Sequence, residues 1–485
     1  MFIRKAINIA IASSLILVAG TLSQPTHAAD TIEQHIQKSI VIAGEAQPKT
    51  TLIQRMADEN VPGLSIAVLK NGEIVWAKGF GIANSKTKQL VSEHTLFQAG
   101  SISKPIGALA ALKLVEQGKL SLDEDVNKYL KGYQLTGAKL SKETPVTLRQ
   151  LLTHTAGLSV HGFPGYSTGD NVPSTIDVLD GKGNTAKVEV VLTPGSEWRY
   201  SGGGYTVMQL LVEQISGQTF AEFTDANILK PMGMLNSTFA HKLPNNLKQR
   251  ASAAFNAEGN MHSAVFNDYP EKPAAGLWTT PTDILKYASH MQAIMQGKKD
   301  GILQKETVTA MFTKHKNNWG LGPELMDIEG QLAFGHGGKN LGFTNDFKAM
   351  VNQGDAFVVM SNGDNANTLN NEIMTTLSKH YDVAFLEQTV IQSITLNTQQ
   401  LDAYKGDYLL LTDIGYNGDF ISKISVNDGK VTIQNPGDPV PSRLVPENTE
   451  KFISAVSGNE FVFKFEGKKV TGLTVAGQFE LQKIK

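Results

Sequence analysis

Residues 97–120, FQAGSISKPIGALAALKLVEQGKL, place a hydroxyl and an amine three positions apart where an apolar helical pattern begins. Residues i and i+3 share a helix face, so Ser101 and Lys104 can touch. A serine hydroxyl is a poor nucleophile until a base takes its proton. A lysine amine becomes such a base when burial and neighbouring cations depress its pKa, and the positive end of a helix acts in the same direction. Pro105 is tolerated only in a first helical turn, so the helix starts within a residue or two of Ser101. One conflict is local: the residue before a proline resists helical angles, and that residue is Lys104. Alone, S-x-x-K is also what a capping serine and a solvated lysine would produce. The rival GYSTG, 165–169, fits the G-x-S-x-G pattern around Ser167, but a nucleophile elbow needs a strand before it and a helix after it. HGFP and DNVPST on either side read as loop, so Ser167 is taken as a loop serine.

Two distant stretches add to the first. EWRYSGGGYTVMQLL puts Tyr200 just before a glycine-rich turn that opens a helix, and FGHGGKNLGF puts His336 before Gly337 and Gly338, ahead of a strand. His154 and His161 are the other histidines nearby. His154 sits inside LLTHTAGL, where a structural role is expected, so no metal and no cofactor is predicted.

The elements that must hold these groups are legible in pattern. Residues 64–81 alternate about Asn71-Gly72, a strong two-residue hairpin signal. Helical periods run over about 101–117, 147–158, 205–217 and 280–297, with Gly118 and Gly217 as stops and Thr282 or Asp283 as a cap. Strands return as two alternating runs over 347–362 around Gln353-Gly354-Asp355, and 372–385 reads as a closing helix. Strands thus flank a long helical middle, which predicts an α+β domain whose antiparallel sheet draws strands from both ends and carries a helical insertion. After about residue 392 short alternating strands with Gly, Asn and Asp turns predict a separate small all-β unit, 394–485, with no catalytic constellation of its own.

The chain has 485 residues, too many for one ordinary core, and is of globular composition, 41% hydrophobic and 19% charged, with a net charge of −2. That balance points to neither nucleic acid nor a polybasic membrane contact. With no cysteine, disulfides, thiol catalysis and thiolate metal sites are excluded. Arg4 and Lys5, an apolar run over about 9–20 and the small residues of SQPTHAAD have the layout of a signal peptide over 1–28, the run being short for a membrane span. A periplasmic or secreted protein, without an integral membrane segment after leader removal, is the expectation.

Taken in order, S-x-x-K, Y-x-G and H-G-G resemble the penicillin-recognising serine hydrolases: class C β-lactamases, DD-peptidases and their esterase relatives. VPGLSIAVLKNGEIVWAKGFG, TLRQLLTHTAGL, PGSEWRYSGGGYTVMQLLVEQISG and PAAGLWTTPTDILKY support the likeness, which covers roughly 33–385. The β tail resembles the lipocalin-like barrel of some members. The resemblance implies a β-lactamase/transpeptidase-like domain over 29–390. It implies Ser101 as acylated nucleophile, Lys104 as its proton acceptor and Tyr200 as a phenolate-like second base. His336, where many relatives have lysine, would aid proton transfer or, charged, bind a substrate carboxylate. Gly337 and Gly338 would let the strand edge approach substrate, and the backbone N–H groups of Ser101 and Lys339 would form the oxyanion hole. Gly202 stands where the family often has the asparagine of Y-x-N, next to substrate, which argues against efficient β-lactam hydrolysis. The implied activity is acyl-enzyme hydrolysis of peptide amides of D-amino-acid or cell-wall type, or of small esters. Peptidoglycan fragments or β-lactams are implied as ligands, and a β-lactamase or a slowly turning over penicillin-binding sensor is the alternative.

Overall fold

Asn71 and Gly72 both take left-handed backbone, φ +54° and +86°. That geometry matches the twist of antiparallel neighbours, and it joins β1 (Gly63–Lys70) to β2 (Glu73–Asn84). The computed structural model describes residues 32–298, 301–412, 418–438 and 440–485; the leader expected over 1–28 lies outside them. The chain continues through β3 (Gln89–Leu90), α1 (Ser103–Glu116), α2 (Gly202–Ser216) and α3 (Pro281–Met295). It then returns as β4 (Glu324–Ile328), β5 (Gln331–Asn340), β6 (Phe343–Met350) and β7 (Ala356–Ser361), and closes with α4 (Asn367–Tyr381). The sheet runs β3-β2-β1-β7-β6-β5-β4, antiparallel throughout. Strands from both ends of the domain therefore meet at the β1–β7 pair, with the helical middle inserted between them, as the pattern predicts.

Both faces of this sheet are covered. Ala67, Leu69, Phe347, Val358 and Met360 join the core on the side of α1 and α3. Leu64, Ile66, Val68, Phe357 and Val359 join the opposite core, with the helix Leu52–Asp58 and α4. This corrects one reading: β7 is buried at all six positions rather than alternating, because it lies between two helical layers. Three helix limits also differ. The helix expected over 147–158 is only Leu148–Leu152. The closing helix begins earlier, at Asn367. Thr280, not Thr282 or Asp283, caps α3: its side chain accepts from the Asp283 N–H, with Pro281 at the first position. Gly217 ends α2 at φ +71°, as expected of a glycine stop.

A short helix, α5 (Thr398–Tyr404), leads into eight strands: β8 (Gly406–Leu410), β9 (Ile421–Asn427), β10 (Lys430–Gln434), β11 (Ser442–Pro446), β12 (Lys451–Ser454), β13 (Glu460–Glu466), β14 (Lys469–Val475) and β15 (Phe479–Lys483). They pair in sequence and close, β15 on β8, into a barrel that leaves no free edge. A parallel ribbon of Ile40–Ile42 with Thr389–Ile391 fastens it to the rest. Ile42 and Ile391 pack on Val445 and Ile453 of β11 and β12, and Arg443 pairs with Glu45 at 2.8 Å.

Candidate active site

Ser101 lies in a tight 3-10 turn, Gly100–Ile102, immediately before α1. The turn sits directly on β5, backbone against backbone. Gly100 has φ +55°, and a Cβ on it would come within 2.5 Å of the Lys339 nitrogen. A Cβ on Gly338 would come within 2.0 Å of the Ala99 carbonyl oxygen. Glycine at both positions is thus what lets the backbone of residue 339 lie beside that of residue 101. Gly337 faces open space, with only the Asn345 carbonyl within 4 Å of a would-be Cβ.

Lys104 takes helical backbone in spite of Pro105, and its ammonium end is held from two sides. Nζ lies 3.0 Å from Ser101 Oγ and donates to the Ala274 carbonyl at 2.8 Å. The side chain is buried, with the rings of Tyr200 and Tyr205 at 4.8 and 5.6 Å from Nζ. Burial with no carboxylate partner disfavours the charged form and brings its pKa down to about 7. The physical requirement placed on a lysine base is met by desolvation.

Tyr200 is set by the turn that cuts short the helix expected over 147–158. His154 adopts left-handed backbone, φ +57°, which ends the helix and turns its ring onto Tyr200, centroids 4.2 Å apart. The residues on either side of Tyr200 both bond to His154. The Arg199 N–H donates to its carbonyl at 2.7 Å, and the Ser201 N–H donates to its Nδ1 at 3.1 Å. Trp319 meets Tyr200 edge-on. Burial pushes the Tyr200 phenol well above its ordinary pKa, and a hydrogen bond with Ser101 offsets this only in part. The phenolate-like state expected of Tyr200 is therefore not its resting state; the depressed group is Lys104.

His336, on β5, is also buried, and burial together with Lys104 lowers its pKa to about 3. The ring is neutral at neutral pH, so the expectation that a charged His336 holds a carboxylate is corrected. Its Nδ1 lies 2.5 Å from the Gly337 carbonyl. A carbonyl can only accept, so Nδ1 carries the proton and Nε2 presents a lone pair.

Ser101, Tyr200, His336, Gly337, Gly338 and Lys339 line one cleft of about 850 Å³, with Lys104 directly behind Ser101. Gly202 does not line it. It is the first residue of α2, and a Cβ there would come within 3.0 Å of both Phe163 and the His161 carbonyl. A side chain there would be crowded by that loop, whose Phe163 ring and His161 carbonyl would have to give by a few tenths of an ångström. Ser167 lies away from the cleft in a two-residue strand, Tyr166–Ser167. Sequence reasoning missed Trp198, Arg199 and Trp319 on the cleft wall, and Gln478 and Phe479, which the barrel contributes. Arg199, one residue before the tyrosine, was available as a signal; the two barrel residues carried none. Among the described residues no cluster of three or more His, Asp or Glu could hold a metal ion.

A family model described as Beta-lactamase matches residues 49–374. The chain is 29% identical over 262 residues to Esterase EstB of Burkholderia gladioli, covering 52% of this chain and 66% of the esterase. It is 28% identical over 189 residues to Penicillin-binding protein 4* of Bacillus subtilis (strain 168), covering 38% and 39%. In each case the match spans less than two thirds of the relative's length. The octameric penicillin-binding protein homologue from Pyrococcus abyssi has a similar structure, with a TM-score of 0.61 at 24% identity over 89% of this chain and 98% of that one.

Proposed function

The chain belongs to the beta-lactamase family, and from that premise we propose that it is a serine hydrolase working through an acyl-enzyme on Ser101. The observation that carries the proposal is the buried Lys104 amine, 3.0 Å from the Ser101 hydroxyl and with a pKa near neutrality. In this reading neutral Lys104 takes the hydroxyl proton as Oγ bonds to the substrate carbonyl carbon. The N–H groups of Ser101 and Lys339 receive the oxyanion, a stabilisation that acts where charge develops. The leaving alcohol or amine departs with the proton from Lys104, passed through the Tyr200 hydroxyl. Water then attacks the acyl carbon and gives its proton through Tyr200 to Lys104; Lys104 passes that proton to Oγ as the C–Oγ bond breaks, releasing the acid and restoring Ser101 and the neutral amine. Neutral His336 offers Nε2 as an acceptor beside this path. The His154 turn positions Tyr200.

The substrate class is a small ester or a short peptide amide of D-amino-acid type, with place of action in the periplasm or outside the cell. The esterase relative supports the first arm and the penicillin-binding relative the second. Arg199 supports a carboxylate-bearing substrate better than His336 does, because a guanidinium stays charged where a buried imidazole does not. The absence of an asparagine amide at Gly202 argues against efficient β-lactam turnover. The test is hydrolysis of p-nitrophenyl butyrate and of an acylated D-alanyl-D-alanine peptide by the wild type and by Ser101→Ala. Activity on either substrate that vanishes in Ser101→Ala supports the proposal; activity that survives in that variant refutes it.

A further inference from the structure

The barrel has two unlike ends. At one, Tyr404 of α5 plugs the interior, packed on Phe452, Phe463 and Phe465. Its hydroxyl donates to the Thr449 carbonyl in the β11–β12 turn. At the other end the interior opens into a cavity of about 390 Å³, walled by Leu410, Ile433, Phe461, Val475 and Leu481, with Ser442 at its rim. No charged side chain lines it among the described residues. The polar groups in its wall are largely engaged within the protein. Ser422 Oγ lies 2.8 Å from Asn435 Oδ1, and Ser454 Oγ accepts from the Val456 and Ser457 N–H groups. The cavity is thus blind and, along its described walls, uncharged and mainly apolar, and it is of a size that holds small ligands.

The open end faces the catalytic cleft. The β14–β15 turn brings Gln478 and Phe479 onto the cleft wall, and Phe479 lines the barrel cavity as well. Phe479 therefore borders both spaces. It stands on a tight turn, Ala476 and Gly477 both at positive φ, held by the Ala476 N–H donating to the Glu460 carbonyl at 2.8 Å. From this adjacency we infer that the barrel mouth is a second substrate subsite. It takes the hydrocarbon chain of an acyl group whose carbonyl carbon sits at Ser101. The inference rests on the serine-hydrolase reading above and narrows its substrate class to esters or amides of chain-bearing acids. A blind apolar cavity suits a chain end; a charged group or a cell-wall sugar would lose its water there with nothing in return.

Two experiments separate failure of the subsite from failure of the hydrolase reading. In the first, kcat/KM is measured for p-nitrophenyl butyrate and decanoate with the full-length protein and with Ser442→Trp, which fills the rim without touching the cleft. Each fully buried methylene is worth about fourfold, so the wild type is expected to favour decanoate at least tenfold, and Ser442→Trp to erase that preference. An unchanged decanoate-to-butyrate ratio overturns the subsite. In the second, decanol binding to Ser101→Ala is followed by calorimetry, which needs no turnover. Binding abolished by Ser442→Trp on the same background supports the subsite even if no ester is cleaved. Absent binding, or binding indifferent to Ser442→Trp, overturns it even in an active enzyme.

Discussion

Replacing Lys104 with methionine should make the protein more stable and inactive at once. The amine is buried with a folded pKa near 7, against an ordinary value of 10.5. Between these two values the unfolded chain binds a proton that the folded chain does not, so wild-type stability rises with pH across that window. Below it the penalty is at its full size. Roughly 3.5 pKa units at about 1.4 kcal/mol each give a penalty near 5 kcal/mol below pH 7, and about 4 kcal/mol at pH 7. Methionine keeps the apolar stem and removes the titrating group, but leaves the Ala274 carbonyl without its donor, at a cost of about 1–3 kcal/mol. The net expectation at pH 7 is a gain of about 1–3 kcal/mol, which shrinks as the pH rises, changes sign, and becomes a loss of about 1–3 kcal/mol near pH 10.5, where only the missing donor to Ala274 still counts. Denaturant unfolding of both proteins at pH 6, 7, 9 and 10.5 measures this difference directly. The same substitution should lower ester kcat/KM by about 10²–10⁴, the usual contribution of a general base, while wild-type kcat/KM rises through an apparent pKa near 7. A stability difference independent of pH, or appreciable activity in Lys104→Met, would refute the assignment of a neutral lysine base.

Other outcomes follow from the same geometry. Gly338→Ala would drive a methyl into the Ala99 carbonyl; the turn bearing Ser101 must move, so kcat should fall at least a hundredfold, with a lowered melting temperature in a thermal scan. His154→Ala removes the acceptor for the Ser201 N–H and the ring against Tyr200. It should cut kcat about ten- to a hundredfold with little change in KM, and His154→Asn should recover part of that. Arg199→Ala should raise KM for D-alanyl peptides ending in a free carboxylate and leave that for uncharged esters within about twofold, read by parallel kinetics on the two substrates.

Sequence pattern carried a great deal here, for identifiable reasons. The Asn71-Gly72 hairpin, the Pro105 position and the Gly217 stop are each decided by local backbone chemistry, and local chemistry is written in the residues. The S-x-x-K, Y-x-G and H-G-G stretches were legible because each places an unusual polar group beside a structural break. What escaped was set by burial. Nothing local says that Lys104 lies dry behind Ser101, or that His336 is neutral, because desolvation is a property of the assembled core. The early end of the helix at Leu152 was hidden for a similar reason: His154 leaves the helix to bond with residues 199 and 201, a contact across some 45 positions. The barrel's Phe479 reads as one more aromatic in an alternating strand until the fold carries it to the cleft.

The most direct measurement treats the full-length protein with an alkyl phosphonofluoridate, a reagent for activated serines, and maps the adduct by peptide mass. A single phosphonylated peptide containing Ser101 is expected, formed faster as the pH rises through about 7 and absent from Ser101→Ala. An adduct on the peptide containing Ser167, or none at all in folded protein, would contradict that expectation.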